Sequence, residues 1–128
     1  MKILAIILAR GGSKGIPGKN LFPVNGKPLL HYTVSACLNS TLVNRLVVST
    51  DDEKISKAAK QMGAEVVKRP KSLSGSLSPP DPALEHVLDT LKNKENYVPD
   101  IIIFTQNTSP LRTSQHIDEA LSLLIKKN

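Results

Sequence analysis

Ile3-Leu4-Ala5-Ile6-Ile7-Leu8 runs without a polar break into Ala9-Arg10-Gly11-Gly12-Ser13-Lys14-Gly15-Ile16-Pro17-Gly18-Lys19-Asn20. A short, continuous apolar run of this kind reads as a strand buried on both faces, the signature of a parallel sheet. The segment it empties into is rich in glycine and carries Arg10, Lys14 and Lys19 with no acidic residue between them. Glycines let a backbone approach a ligand closely and turn its N–H groups inward, and the cations neutralise charge that amides alone leave uncompensated. At the carboxyl end of a strand in an open α/β sheet, such a segment suits a polyphosphate. A basic surface turn is the plainer alternative. The two common phosphate patterns are excluded. A P-loop ending at Gly18-Lys19 needs Gly at position 13 and Ser or Thr at position 20, where Ser13 and Asn20 stand. Gly-x-Gly-x-x-Gly fails because Ser13 follows two residues after Gly11, and Lys14 two after Gly12.

The same alternation continues outward from this segment. Leu21-Phe22-Pro23-Val24 leads to the turn Asn25-Gly26-Lys27-Pro28, and Pro28 opens a helix that runs to Leu38. Leu46 to Ser49 is a second buried strand. Thr50 or Asp51 is placed to cap a helix from Asp52 to Met62, and Gly63 stops it. Glu65 to Val67 is a third strand, ending at Lys68-Arg69-Pro70, and positions 71 to 80 form a loop rich in Ser, Gly and Pro. Asp81 and Pro82 read as a cap and first residue of a helix whose buried face is Leu84, Val87, Leu88 and Leu91. Ile101 to Phe104 is the fourth strand. The loop Gln106-Asn107-Thr108-Ser109-Pro110-Leu111-Arg112 then precedes a helix carrying Ile117, Ala120, Leu121 and Leu124. Alternating strands and helices predict an α/β fold: a mainly parallel sheet with helices on both faces, forming one unit over residues 1–128.

Composition narrows the partners. With 40% hydrophobic and 22% charged residues, the chain is an ordinary globular sequence. No apolar run is long enough to span a bilayer, and the N-terminal run lacks the cleavage site of a signal peptide. The expectation is a cytoplasmic protein without a membrane partner. The lone Cys37 cannot form an internal disulfide and reads as a small buried hydrophobe. A net charge of +6 calls for an acidic partner. Aromatics are only 3%, too few for a single-strand stacking platform, and no basic helix or finger pattern appears, so nucleic acid is disfavoured. Arg10, Lys14, Lys19, Lys68, Arg69, Lys71 and Arg112 instead fall in segments after strands, where a small polyanion would bind. His31, His86 and His116 show no ligand spacing for zinc, and no Gly-x-Ser-x-Gly elbow is present. A site of cations and hydrogen-bonding groups suits phosphoryl chemistry driven by positioning and charge rather than by a protein nucleophile.

Five segments, in order, resemble the acylneuraminate cytidylyltransferases, also called CMP-sialic acid synthetases. They are Leu8 to Leu21, Gly26-Lys27-Pro28-Leu29, Val48-Ser49-Thr50-Asp51, Arg69-Pro70 and Gln106 to Arg112. The resemblance implies a nucleotide-diphospho-sugar transferase fold, which is Rossmann-like, and attack by the C2 hydroxyl of a nonulosonic acid on the α-phosphate of CTP, assisted by Mg2+. Carried over by position, Arg10, Gly11, Ser13, Lys14, Lys19 and Asn20 would hold the triphosphate and nucleotide, with Arg10, Lys14 and Lys19 acting on the reacting phosphates. Arg69 and Ser78 would lie near the nucleotide. Gln106, Thr108 and Arg112 would contact the sugar acid.

The chain departs from the family pattern in places. Asn107 replaces a usual Pro, and Ser76 stands where an acidic residue is expected. Family members continue beyond the position of Asn128, so the chain resembles their N-terminal, nucleotide-binding portion. The resemblance places the acidic metal ligands, the rest of the sugar pocket and a homodimer contact beyond Asn128. Legionaminic and pseudaminic acids remain open as substrates beside N-acetylneuraminic acid. A KDO enzyme fits less well, because that family's opening differs around the Gly-Gly-Ser-Lys step. A catalytically silent CTP- or polyphosphate-binding module is the alternative of another class.

Overall fold

The computed structural model describes residues 1–9, 23–24, 26–70, 80–106, 118–119, 121–123 and 125. Six strands and three helices are delimited among them: β1 (Ile3–Leu8), β2 (Pro23–Val24), β3 (Lys27–Pro28), α1 (Leu29–Leu38), β4 (Arg45–Thr50), α2 (Glu53–Gln61), β5 (Glu65–Lys68), α3 (Pro80–Glu95) and β6 (Ile101–Gln106). Residues 118, 119, 121–123 and 125 are also helical.

β1 is the axis of the molecule. It pairs in parallel with β4 on one side and β6 on the other, and β5 pairs in parallel with β4, giving the order β5-β4-β1-β6. All six of its residues are buried, as its unbroken apolar sequence predicts. Its side chains divide between two cores by the period of two that a strand imposes. Ile3, Ala5, Ile7 and Ala9 join Leu30, Val34 and Cys37 of α1, Ile55 and Ala59 of α2, Leu46 and Val48 of β4, and Leu121. Leu4, Ile6 and Leu8 join Val47 of β4 and Ala83, Val87 and Leu91 of α3. Helices therefore cover both faces, and Cys37 is a buried hydrophobe as expected.

The elements follow the sequence with local corrections. Pro28 ends β3, which pairs antiparallel with β2, so α1 begins one residue later at Leu29. The turn between these strands places Gly26 at φ 81°, a left-handed conformation that suits a residue without Cβ. The cap of α2 is Asp52 rather than Thr50 or Asp51: its carboxylate accepts from the Lys54 and Ile55 amides at 2.8 and 3.1 Å. Gly63 closes that helix at φ 93°. On α3 the fully buried positions are Ala83, Val87 and Leu91, with Leu84 and Leu88 packed at their margin.

Polar anchors lock the elements at the amino ends of the strands. The Arg45 guanidinium forks onto Glu65 at 2.7 and 2.8 Å and reaches Glu95 at 2.8 Å, while lying 4.7 Å from the centre of the Tyr97 ring. One side chain thus joins β4, β5 and the end of α3. Both carboxylates raise the Arg45 pKa further above its ordinary range. Asp118 is a second anchor. Its carboxylate accepts from the Ser40 hydroxyl, the Thr41 amide and hydroxyl at 3.0 and 2.8 Å, and the Leu42 amide at 3.3 Å. These donors hold its pKa down at about 2.

Candidate functional site

Because all four strands of the main sheet are parallel, their carboxyl ends lie along one edge. The chain moves outward from β1 to β4 and β5, then returns through α3 to place β6 on the other side of β1. Strand order therefore reverses at β1, and open α/β sheets bind ligands at the carboxyl ends beside such a reversal. Leu8 stands level with Ser49 of β4 on one side and Gln106 of β6 on the other. With neighbouring strands about 4.8 Å apart, the Ser49 and Gln106 backbones sit roughly 10 Å from each other across β1. Ala9, the last described residue before the Gly-rich segment, follows Leu8 directly.

The sequence-predicted residues divide accordingly. Arg10, Gly11, Ser13, Lys14, Lys19, Asn20, Ser78, Thr108 and Arg112 lie outside the described residues. So does Asn128, the position beyond which the resemblance sets the acidic metal ligands. Gln106 is the last residue of β6, so the backbone carries it to the carboxyl-end edge of the sheet. Arg69 follows β5 directly and is only 7% exposed. β1 and β6, which precede in sequence the two segments with the strongest expectations for function, are adjacent strands.

Arg69 is held by a neighbour. Its amide donates to the Thr50 carbonyl at 2.8 Å, extending the β4–β5 ladder by one residue. Val67 belongs to the core under α3, and two residues on, the strand period returns the Arg69 side chain to that face. There it meets Ser49, which is fully buried. The Arg69 Nε donates to Ser49 Oγ at 3.0 Å, and Nη2 donates to the Ser49 carbonyl at 2.8 Å. That carbonyl also accepts from the Ala9 amide at 3.0 Å. Ser49 is the residue that sequence reasoning undervalued. The available signal was the period of β5, which sets Arg69 opposite the end of β4.

Two further assignments change. Lys68, counted from sequence among the cations of this edge, makes an ion pair with Glu53 at the start of α2, so its charge is partly answered within the chain. Asp52, not Asp51, has the helix-capping role. Among the described residues, no group of three or more His, Cys, Asp or Glu side chains comes together to hold a metal ion. The described side chains thus supply no metal cage. No described helix is long and apolar enough to cross a membrane.

Comparison with known proteins agrees with this architecture. The chain is 38% identical over 122 residues to an N-acylneuraminate cytidylyltransferase from Escherichia coli, covering 95% of this chain and 28% of that protein. It is 35% identical over 127 residues to a pseudaminic acid cytidylyltransferase from Campylobacter jejuni, covering 98% of this chain and 54% of that protein. The chain therefore spans from about a quarter to about half the length of these relatives. Among solved structures, a CMP:2-keto-3-deoxy-manno-octonic acid synthetase complexed with CTP superposes with a TM-score of 0.79 at 22% identity, covering 98% of this chain and 48% of that one. A cytidylyltransferase from Leptospira borgpetersenii superposes with a TM-score of 0.73 at 25% identity, covering 98% and 50%. The family model for cytidylyltransferases matches residues 4–128, from the second residue of β1 to Asn128. The chain belongs to the cytidylyltransferase family.

Proposed function

We propose that this chain is the nucleotide-binding part of an enzyme that transfers CMP from CTP to a nonulosonic, sialic-acid-like sugar. One observation carries the reading: the cytidylyltransferase match extends over residues 4–128 and includes both strand-end segments. Relatives acting on N-acylneuraminate and on pseudaminic acid match it at similar identity, so the sugar class is proposed and not the individual sugar.

In the proposed reaction, the C2 hydroxyl oxygen of the sugar attacks the α-phosphorus in line. The bond from that phosphorus to the β-bridging oxygen breaks, pyrophosphate leaves and the hydroxyl proton is released. Developing charge on the phosphates requires fixed cations and oriented N–H groups rather than a nucleophile. Arg10, Lys14 and Lys19 would supply the charge. Gly11, Ser13 and Asn20 would supply close backbone approach and hydrogen bonds. Arg69 and Ser78 would hold the nucleotide, and Gln106, Thr108 and Arg112 the sugar acid. Mg2+ would supply positive charge against the CTP phosphates. The family resemblance sets the acidic side chains that would hold it outside residues 1–128. A cytoplasmic location and a homodimer of the full-length enzyme accompany this proposal.

The test is pyrophosphate release from CTP and Mg2+ with N-acetylneuraminic, pseudaminic or legionaminic acid as acceptor. Release that needs both CTP and one of these acids supports the transferase. The alternative reading is a CTP-binding unit without turnover. That reading expects CTP binding and no release with any acceptor.

A further inference from the structure

Ser49 sits where the two arms of the strand-end edge meet. Its carbonyl has two lone pairs. One accepts from the amide of Ala9, the residue that launches the Gly-rich segment, at 3.0 Å. The other accepts from Arg69 Nη2 at 2.8 Å. Its hydroxyl adds a second grip on the same guanidinium, accepting from Nε at 3.0 Å. Ser49 is wholly buried and Arg69 nearly so. A two-point attachment at Nε and Nη2 fixes the plane of the guanidinium as well as its position.

We propose that Ser49 is a positioning residue for nucleotide binding, fixing the Arg69 guanidinium relative to the end of β1. This rests on the reading of Arg69 as a nucleotide-contacting residue. A long arginine side chain loses much rotamer freedom when a ligand immobilises it. Ser49 imposes that order before the ligand arrives, so less affinity is lost on binding. The shared carbonyl also fixes Arg69 relative to Ala9, at the end of β1.

The test is a double-mutant cycle on the 128-residue chain, with CTP and Mg2+ titrated by calorimetry. Ser49→Ala removes the hydroxyl grip and leaves the carbonyl. Expected is CTP binding weakened about three- to tenfold, the scale of a typical net hydrogen bond. Arg69→Ala weakens it further, and the double variant binds no worse than Arg69→Ala alone, because Ser49 acts through Arg69. Exchange of the Arg69 Nε proton, followed by NMR without nucleotide, quickens in Ser49→Ala. Arg69→Lys repeats the test with Ser49 intact, since it keeps the charge and loses the Nε–H. It is expected to weaken CTP binding severalfold, and this arm decides the matter where Ser49→Ala does not fold.

Parental CTP affinity in Ser49→Ala or in Arg69→Lys would overturn the proposal. So would a Ser49→Ala effect that adds in full to Arg69→Ala. A parent chain that does not bind CTP at all would overturn the nucleotide reading itself. That failure is distinct, because the Nε exchange result reports the grip without nucleotide.

Discussion

The chemistry proposed for this chain is concentrated in a few side chains, and each has a separable consequence. Lys14 and Arg10 are assigned to the triphosphate and stand in a segment that follows the buried strand rather than within it. Lys14→Ala and Arg10→Ala are each expected to weaken CTP binding about ten- to a hundredfold, the scale of a lost charged hydrogen bond. The thermal transition should stay unchanged. Calorimetry beside a melting curve checks both, and a variant that unfolds would make the segment structural rather than ligand-binding. Gln106, placed by β6 level with Leu8, is assigned to the sugar. Gln106→Ala is expected to raise the KM for the acceptor acid several times more than that for CTP. Equal losses in both would remove it from the sugar site.

The elements show why the fold was readable from residues and parts of the site were not. β1 has no polar residue, and all of it is buried, so its pattern had one structural solution. The helix α2 shows a strong division of its faces, with Ile55, Ser56 and Ala59 inward and lysines outward. The sequence does not single out its cap, because Asp51 and Asp52 are chemically alike. Only the geometry selects Asp52, whose extended backbone turns its carboxylate onto the Lys54 and Ile55 amides. The Lys68–Glu53 pair and the Ser49–Arg69 grip were hidden for a related reason. Each joins residues of different elements, and their meeting depends on register, which propensity does not encode. The same burial gives the element-scale expectation. Ile6 is fully buried between β4 and α3, and Ile6→Ala is expected to destabilise the chain by about 2–5 kcal/mol in urea unfolding. A cost below about 1 kcal/mol would mean that the central strand is not packed as described.

At the scale of the whole molecule, polar anchors fasten the amino-end side of the sheet, opposite the strands' carboxyl ends. The Asp118 carboxylate ties the helical residues beyond β6 to the turn between α1 and β4 through Ser40, Thr41 and Leu42. Its folded pKa of about 2 lies below the ordinary 3.8. A depressed carboxylate contributes stability that is present above its unfolded pKa and is lost as pH falls through the folded one. The contribution is therefore full above about pH 4 and fades toward pH 2. Asp118→Asn is expected to unfold at lower urea than the parent at pH 7, with the gap narrowing at pH 2. A gap that stays constant across that range would contradict this role.

The parallel order β5-β4-β1-β6 sets this anchored end against the opposite edge, where β5, β6 and β1 end at Lys68, Gln106 and Leu8. The central claim is that this edge receives CTP. The most direct measurement titrates CTP with Mg2+ into the 128-residue chain by calorimetry, with ATP, GTP and UTP as controls. The account expects saturable binding of CTP, with the other nucleotides at least about tenfold weaker. Equal affinity for all four, or binding of none, would contradict it.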